Sequence, residues 1–522
     1  MNDKKKNAAS GEKNLSLMLA AMMMGVIILL SKILGLLRDS MIGSAYGTTD
    51  LAIAYETASK LPVTIFDFIL GGVVTSAFIP IYNSIAVKKG KKDALSFAQS
   101  YVNLILVITA FVSLIGVAFA PYLVNFIAPD LTAETAALAA QLTRIMFPMV
   151  IFVGLAFSFV GFLQSEGEYN IPAVISLVSN LIMIVYLVFF NKKFGVWGLS
   201  VSMLVGWGAQ AAVQIPAVIK KGFRYRLTAP LAVPEIGRAA KNTFPILIAT
   251  WTTPLCNLIN TRIASGIEGG RAINALGYAN RLYIIIVGLF SFVATNLLFP
   301  HFSRAAASGN SDEGERLTRT SIKTLIFIIA PISVGVMLLA PQFISIIYGR
   351  GNFTDSDVII TAEALRAYSV GMIFAAIGEV LTKAFFAVEK TKLPMISSIV
   401  SMSVNIAVIE LFGSRLGIGG IALTASFATA VNMVINLIFA YKKGILKKAP
   451  RDFIDILKSV LSAAVMGGSV WFISPLCEGM PRLVAFLLPV IAGCVVYAIC
   501  ALILKSEGAL ALLGMIKKKK GA

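Results

Sequence analysis

Thr75-Ser-Ala-Phe-Ile-Pro80 returns 220 residues later as Thr295-Asn-Leu-Leu-Phe-Pro300. Ala120-Pro121 matches Ala340-Pro341 at the same offset, and Ala58-Ser-Lys60-Leu61 matches Ala279-Asn-Arg281-Leu282 at 221. At 222, Arg144 pairs with Arg366, Ile151-Phe152 with Ile373-Phe374, and Pro172 with Pro394. Gly195-x-x-Gly198 pairs with Gly417-x-x-Gly420, and Lys220-Lys-Gly222 with Lys442-Lys-Gly444, also at 222. Each match is weak alone, but a near-constant offset is not a chance pattern. The chain reads as a direct duplication.

The solvent of that duplication is lipid. Of the 522 residues, 57% are hydrophobic and only 14% are charged. Soluble domains run near 25% charged, so this chain cannot cover itself with a watery surface. Its formal charge of +19 would suggest nucleic acid in a soluble protein. In a membrane protein it is first a question of where the charges sit. The four cysteines form no CxxC pair, and no disulfide framework can be read from them. Met1–Lys13 is polar and basic, and the apolar run from Leu15 to Leu30 has no small-residue cleavage site after it. That run reads as a first membrane helix.

A membrane helix needs roughly 20 apolar residues. Charge-free runs such as Tyr101–Pro129, Leu282–Ser303 and Leu483–Leu504, with interrupted ones such as Leu51–Val87 and Asp357–Val388, give fourteen expected spans. Basic residues then sort onto one side. Lys4–Lys6 precede the first span, Lys88–Lys92 follow the second, and Lys220–Lys241 follow the sixth. Arg304–Lys323 follow the eighth, Lys390 and Lys392 the tenth, Lys442–Lys458 the twelfth, and Lys517–Lys520 end the chain. This is the positive-inside pattern with both termini cytoplasmic. The loop after the fourth span has no basic residue, and Lys192-Lys193 fall on the opposite side. The charge is thus mostly topology, and a nucleic-acid partner is not expected.

Six spans fit one repeat period. An even number returns the chain to its starting side, so both copies keep one orientation, as in transporters built from parallel repeats. The expected fold is an all-α polytopic membrane protein of fourteen helices. Residues 1–225 form an N-lobe of helices 1–6, and 226–447 a C-lobe of helices 7–12. Residues 448–522 add helices 13 and 14 and a basic tail.

Ionisable residues inside spans are expensive and need a reason. Helix 1 carries Lys32, Arg38 and Asp39, helix 2 carries Glu56, Lys60 and Asp67, and helix 8 opens with Arg281. Lys60 and Arg281 are repeat-equivalent and are expected to face each other across a pseudo-twofold axis. Cations so placed suit a phosphate or pyrophosphate, Arg by forked donation and Lys as a point charge. A simpler reading weighs against part of this set. Glu56–Lys60 and Glu379–Lys383 are i,i+4 pairs that neutralise themselves on one helix. Arg144 and Arg366 read as interfacial anchors, and His301, the one histidine, as a wet helix end. There is no GxxxxGK[ST] loop, no HExxH and no histidine to serve a nucleophile. An enzyme is not expected.

Several segments together resemble the MurJ/MviN family of lipid II flippases, within the multidrug/oligosaccharidyl-lipid/polysaccharide exporter superfamily. Ser31-Lys-Ile-Leu-Gly-Leu-Leu-Arg-Asp39 is similar to that family's first-helix motif, and Tyr278-Ala-Asn-Arg-Leu282 to its eighth-helix motif. Thr49-Asp50, Leu61-Pro62 and Ala77-Phe-Ile-Pro80 follow its second-helix pattern. Gly349-Arg-Gly-Asn-Phe-Thr354 and Ala362–Gly371 resemble its ninth-to-tenth segment.

The resemblance implies a monomeric carrier moving undecaprenyl-pyrophosphate disaccharide-peptide from the cytoplasmic to the outer leaflet of the bacterial plasma membrane. It implies alternating access, and headgroup binding by Arg38, Arg281, Lys60 and Lys32, with Asp39 and Asp50 nearby. Helices 13 and 14 would form a groove for the lipid tail. Membrane lipids, and cell-wall synthases, are the implied neighbours. No cofactor is implied, and the membrane potential or a monovalent cation is the candidate driving force. Two departures stand out. Relatives often carry an Arg pair and a Glu where this chain reads Phe66-Asp67 and Gly71. Some relatives use an Asp in a sodium site where this chain has Asn260, with Asn405 and Thr424 as other candidate ligands. The loss of that carboxylate counts against sodium coupling, because a hard cation prefers charged oxygen ligands. The competing readings are a multidrug/cation antiporter or polysaccharide-lipid flippase of the same superfamily, and a non-transporting cell-wall scaffold. An antiporter for cationic drugs would need an acidic cavity, which these cations oppose.

Overall fold

The computed structural model describes residues 25–70, 73–226, 251–293, 298–447, 450–477 and 479–510. Among the described residues every regular element is helical. Nine helices among the described residues are long and apolar enough to cross a bilayer, and the bent pair Ala133–Met146 and Met149–Ser165, taken as one span, makes a tenth. The helices at 25–46 and Asp50–Leu70, which hold Lys32, Arg38, Glu56 and Lys60, are not among those ten. The Gly71-Gly72 pair, Thr295–Leu297, Arg238, Lys241 and both basic tails lie outside the described residues.

The chain divides into two compact units, Met1–Leu258 and Ile259–Ala522. Several described elements of one recur in the other. Lys91–Ala118 followed by Ala120–Ile127 in the first unit corresponds to Ser311–Leu338 followed by Ala340–Ile347 in the second. Both joints close alike. The amide of Phe119 donates to the carbonyl of Ile115, that of Leu339 donates to Gly335, and Pro121 or Pro341 starts the short helix that follows. Proline suits that position because the first turn needs no amide donor there.

The backbone irregularities recur too. Gly195 has φ 54° and Gly417 has φ 66°, each a break inside an otherwise helical stretch. Gly222 and Gly444 have φ 97° and 72°. A left-handed backbone is cheap only for glycine, so the sequence repeat Gly195/Gly417 is a repeat of chain geometry.

One difference has a clear cause. Ala133–Met146 and Met149–Ser165 meet at Pro148 with a 42° bend. The second unit has Val370 at the matching place, and Asp355–Ala387 runs as one helix. Proline withholds an amide and crowds the preceding turn, which kinks a helix.

The cores hold these helices by ordinary close packing. In the first unit Phe78 stacks on Tyr82, Phe97 and Tyr101 with ring centroids 5.0–5.6 Å apart. Gly116 lies so close to the buried ring of Phe147 that a Cβ there would come within 1.9 Å of it. In the second unit Ser311–Leu338 packs against Asp355–Ala387 on one side and Pro450–Leu476 on the other, and Arg482–Ile503 completes that C-terminal pair. Their shared core includes Phe327, Met372, Leu381, Phe385, Met466 and Tyr497.

Polar contacts between loops join like ends. Glu166, after the fourth expected span, takes Lys91 at 2.9 Å, while Lys221, after the sixth, donates to its carbonyl at 3.0 Å. Burial works against the charge on Glu166, but the Tyr82 phenol, Lys91 and Lys221 outweigh it and hold the carboxyl below its usual range. The missing basic residue in that loop is thereby accounted for, since the loop borrows cations from its neighbours. In the second unit Arg319 pairs with Asp452 at 2.8 Å, Lys447 with Asp312 at 2.7 Å, and Lys323 with Glu507. Asp312 and Glu315 hold the Lys447 ammonium charged above its ordinary range. At the opposite ends Tyr46 donates to Asn191, Arg271 pairs with Asp357 at 2.7 Å, and Arg482 donates to the carbonyl of Gly349.

Candidate functional site

Arg38 is the most fully built of the candidate cations. It sits in the helix at 25–46, and its guanidinium reaches Asp39 Oδ1 at 2.8 Å and Asn180 Oδ1 at 2.8 Å. Asn180 in turn donates from Nδ2 to the carbonyl of Ser31 at 3.0 Å. The Asp39 side chain is 7% exposed and the Arg38 side chain 25%. A buried carboxylate beside a part-exposed guanidinium fixes one edge of the fork and leaves part of the group accessible. An anion can still be taken up there.

Lys60 is placed differently. Its ammonium lies 3.3 Å from Glu56 Oε1, one turn earlier on Asp50–Leu70. Glu379–Lys383 has the same geometry at 3.4 Å, as the i,i+4 spacing suggested. Asp50 is exposed in the first turn of its helix, where a carboxylate complements the helix N-terminus. Lys32 lies apart from Arg38, in the wall of a cavity of about 440 Å³ within the first unit.

Arg281 corrects a boundary. The charge-free run begins at Leu282, so the sequence put Arg281 at a helix start. The helix begins instead at Arg271, after a turn in which Gly269 has φ 64°. Ten residues into the helix, Arg281 is about 15 Å along its axis. Its guanidinium lies 5.7 Å from the Tyr278 ring centroid. Tyr278 packs on Tyr348 at 4.8 Å and on Phe353 at 5.6 Å. The Gly349–Thr354 motif thus serves the Tyr278–Leu282 motif as an aromatic backing.

At the departures, Phe66 is 4% exposed and stacks on Phe157 at 5.9 Å. It is a core residue at a position where the family resemblance implied a cation. Asn260 and Asn405 each keep a buried side-chain oxygen without a hydrogen-bond partner. Thr424 spends its hydroxyl hydrogen on the carbonyl of Ile421 at 2.8 Å. Ser401–Ala428 and Ser397–Asn436 contacts set an antiparallel register that brings Asn405 level with Thr424. These are neutral oxygens, and among the described residues no cluster of three His, Cys, Asp or Glu side chains could hold a metal. Such a set suits at most a weakly held monovalent cation. Arg144 and Arg366 are exposed, as anchors would be.

Asn180 is the residue that the sequence reading missed. It lies inside the charge-free run Ile171–Phe190. A carboxamide at membrane depth must find a partner, and that was the available signal.

Comparison with known proteins identifies the family. The family model for lipid II flippase MurJ matches residues 42–491. A probable lipid II flippase MurJ of Buchnera aphidicola subsp. Schizaphis graminum is 27% identical over 449 residues, covering 85% of this chain and 87% of its own. One from Thermotoga maritima is 26% identical over 477 residues, covering 91% and 94%. A solved lipid II flippase MurJ in an inward closed conformation superposes with a TM-score of 0.80 at 25% identity, covering 92% of this chain and 98% of that one. An inward-facing multidrug resistance transporter shares the fold, with a TM-score of 0.69 at 15% identity over 81% and 98%. With the family model matching most of the sequence, this multi-pass membrane protein belongs to the MurJ family of lipid II flippases.

Proposed function

We propose that the chain carries lipid II from the cytoplasmic to the outer leaflet by alternating access. Arg38, Lys60 and Lys32 of the first unit and Arg281 of the second bind the pyrophosphate-sugar headgroup. Asp39 and Asn180 orient Arg38, and Tyr278 backs Arg281. The observation that carries this reading is Arg38 itself: an arginine inside a membrane helix, held by Asp39 at Nε and Nη2 and by Asn180 at Nη1, and still part-exposed.

The topology that goes with it has fourteen crossings, both termini cytoplasmic and lobes at 1–225 and 226–447, followed by 448–522. The sorting of loop contacts supports it, because every expected cytoplasmic loop in those contacts meets another cytoplasmic one. The protein acts as a monomer, beside cell-wall synthases, and is not an enzyme. The membrane potential or a monovalent cation drives the cycle, and any such cation at Asn260, Asn405 and Thr424 is held weakly.

The test is genetic. In a bacterium depleted of its own flippase, wild-type protein restores growth and surface exposure of labelled lipid II, whereas Arg38→Gln and Arg281→Gln each abolish both. Full rescue by both variants at normal membrane levels defeats the site assignment. Drug resistance without lipid II exposure would favour the antiporter, and growth rescue by a transport-dead variant the scaffold.

A further inference from the structure

The cavity beside Lys32 is a built pocket inside the first unit. Four helices wall it: 25–46, Met149–Ser165, Asn170–Phe189 and Asn191–Ala212. Its polar lining comes from Ser31, Lys32, Gln164, Ser176, Trp207 and Gln210, and no carboxylate is among the lining residues. Its volume of about 440 Å³ falls within the range of small-molecule sites.

Two observations point to an anionic occupant. Lys32 has no ion-pair partner among the described residues, and a lone ammonium at membrane depth is costly. Ser31 is 8% exposed, and its hydroxyl oxygen is buried without a hydrogen-bond partner. Two acidic groups on or next to these helices are already engaged, and Asp67, beside the Phe66 ring that stacks on Phe157, is not among the lining residues. Asp39 holds Arg38, and Glu166 holds Lys91 and Tyr82. The lining is mostly apolar, with Lys32 and the hydroxyl, carboxamide and indole side chains as its polar members, a mixture suited to a phosphate carried on a lipid. Ile28, Val160 and Ile175 add apolar wall, which suits the first methylenes of a lipid chain.

Position gives the direction of approach. Gln164 lies two residues before Glu166, so the cavity sits at the end of the unit where Lys91 and Lys221 gather. That is the cytoplasmic end in the proposed topology.

We propose that this cavity is a binding subsite, separate from the Arg38 cluster, for the phosphate of a membrane lipid approaching from the cytoplasmic leaflet. The phosphate belongs either to the cargo lipid, in keeping with the headgroup role proposed for Lys32, or to a bulk anionic phospholipid, which would take Lys32 out of the headgroup site. The binding claim stands on the cavity alone; only its place in the transport cycle rests on the function proposed above.

The full chain in maltoside detergent is titrated with phosphatidylglycerol, with lipid II and with phosphate-free diacylglycerol, and bound lipid is counted by native mass spectrometry. Lys32→Gln and the cavity-filling Ala173→Trp are compared with the exposed-site control Lys192→Gln. A lost charge-assisted contact weakens binding by about tenfold or more. That loss, in both cavity variants and not in the control, is expected for at least one phosphate lipid. A loss confined to phosphatidylglycerol identifies a bulk phospholipid, and a loss confined to lipid II identifies the cargo. Unchanged affinity for both phosphate lipids in Lys32→Gln protein of wild-type melting temperature overturns the proposal, whether or not Ala173→Trp folds. Failure of the growth rescue described above, with this binding intact, would count against the transport reading and not against the subsite.

Discussion

Asn180 accepts a hydrogen bond from Arg38 at 2.8 Å while its own amide holds the carbonyl of Ser31 at 3.0 Å. One carboxamide therefore ties the arginine to a second point on the same helix, about two turns away. Asn180→Leu removes the acceptor and leaves Asp39 alone to orient the guanidinium. Losing a hydrogen bond to a charged group costs about 1.5–3 kcal/mol. Lipid II exposure in a depletion strain should fall about tenfold or more for that cost, with protein level in the membrane unchanged. Wild-type exposure from Asn180→Leu would mean that Asp39 suffices.

Tyr278 offers Arg281 a ring face, backed by Tyr348 and Phe353. Tyr278→Phe keeps that face and should support near-normal transport. Tyr278→Leu removes it, at a cost of about 0.5–2 kcal/mol. The comparison is read as the concentration of lipid II needed for half-maximal binding in detergent, and equal values for the two variants would refute the role of the ring.

Glu166 links acidity to stability. Its carboxyl is held below its ordinary value in the folded chain, so folding prefers the ionised form. That stabilisation is complete above the unfolded carboxyl's range, near pH 4.3, and fades as pH falls through the lower folded value. Lys91 is largely exposed, so the contribution is expected to be under about 1 kcal/mol. Thermal melts from pH 7 to pH 3 should fall less steeply for Glu166→Gln than for wild type.

Gly195 and Gly417 sit at φ 54° and 66°. Alanine in that backbone region costs about 1–2 kcal/mol. Gly195→Ala and Gly417→Ala should each lower the melting temperature by a similar amount, since the two positions are copies of one joint. A loss at only one of them would break the equivalence.

Gly116→Ala is expected to be more damaging to packing than to backbone. Its methyl would collide with the Phe147 ring, which is itself fully buried. Overpacking of this kind costs about 1–3 kcal/mol, measured as a lower melting temperature that Phe147→Leu partly restores.

The legible part of the structure was whatever the bilayer itself enforces. Long apolar runs act through lipid and water, and the duplication repeats residue by residue, so both are written locally in the chain. Gly195 and Gly417 were visible for the same reason, as residues whose type carries backbone geometry. The site was harder to read. Arg38 could be singled out as a charge in oil, but its partner lies 142 residues away, and helix register is not a local property. Arg281 was placed at a helix start because the apolar run begins at Leu282, whereas the turn at Glu268–Gly270 sets the boundary. Lys32 and Arg38 belong to one sequence motif and yet serve different surroundings, because six residues carry a helix well past one turn.

Pro148 and Val370 occupy matching places in the two copies, and only the first is bent. An ancestral half that was doubled has since diverged in stiffness: one descendant owns a hinge where the other keeps a strut. The twins therefore need not contribute equally to any shape change.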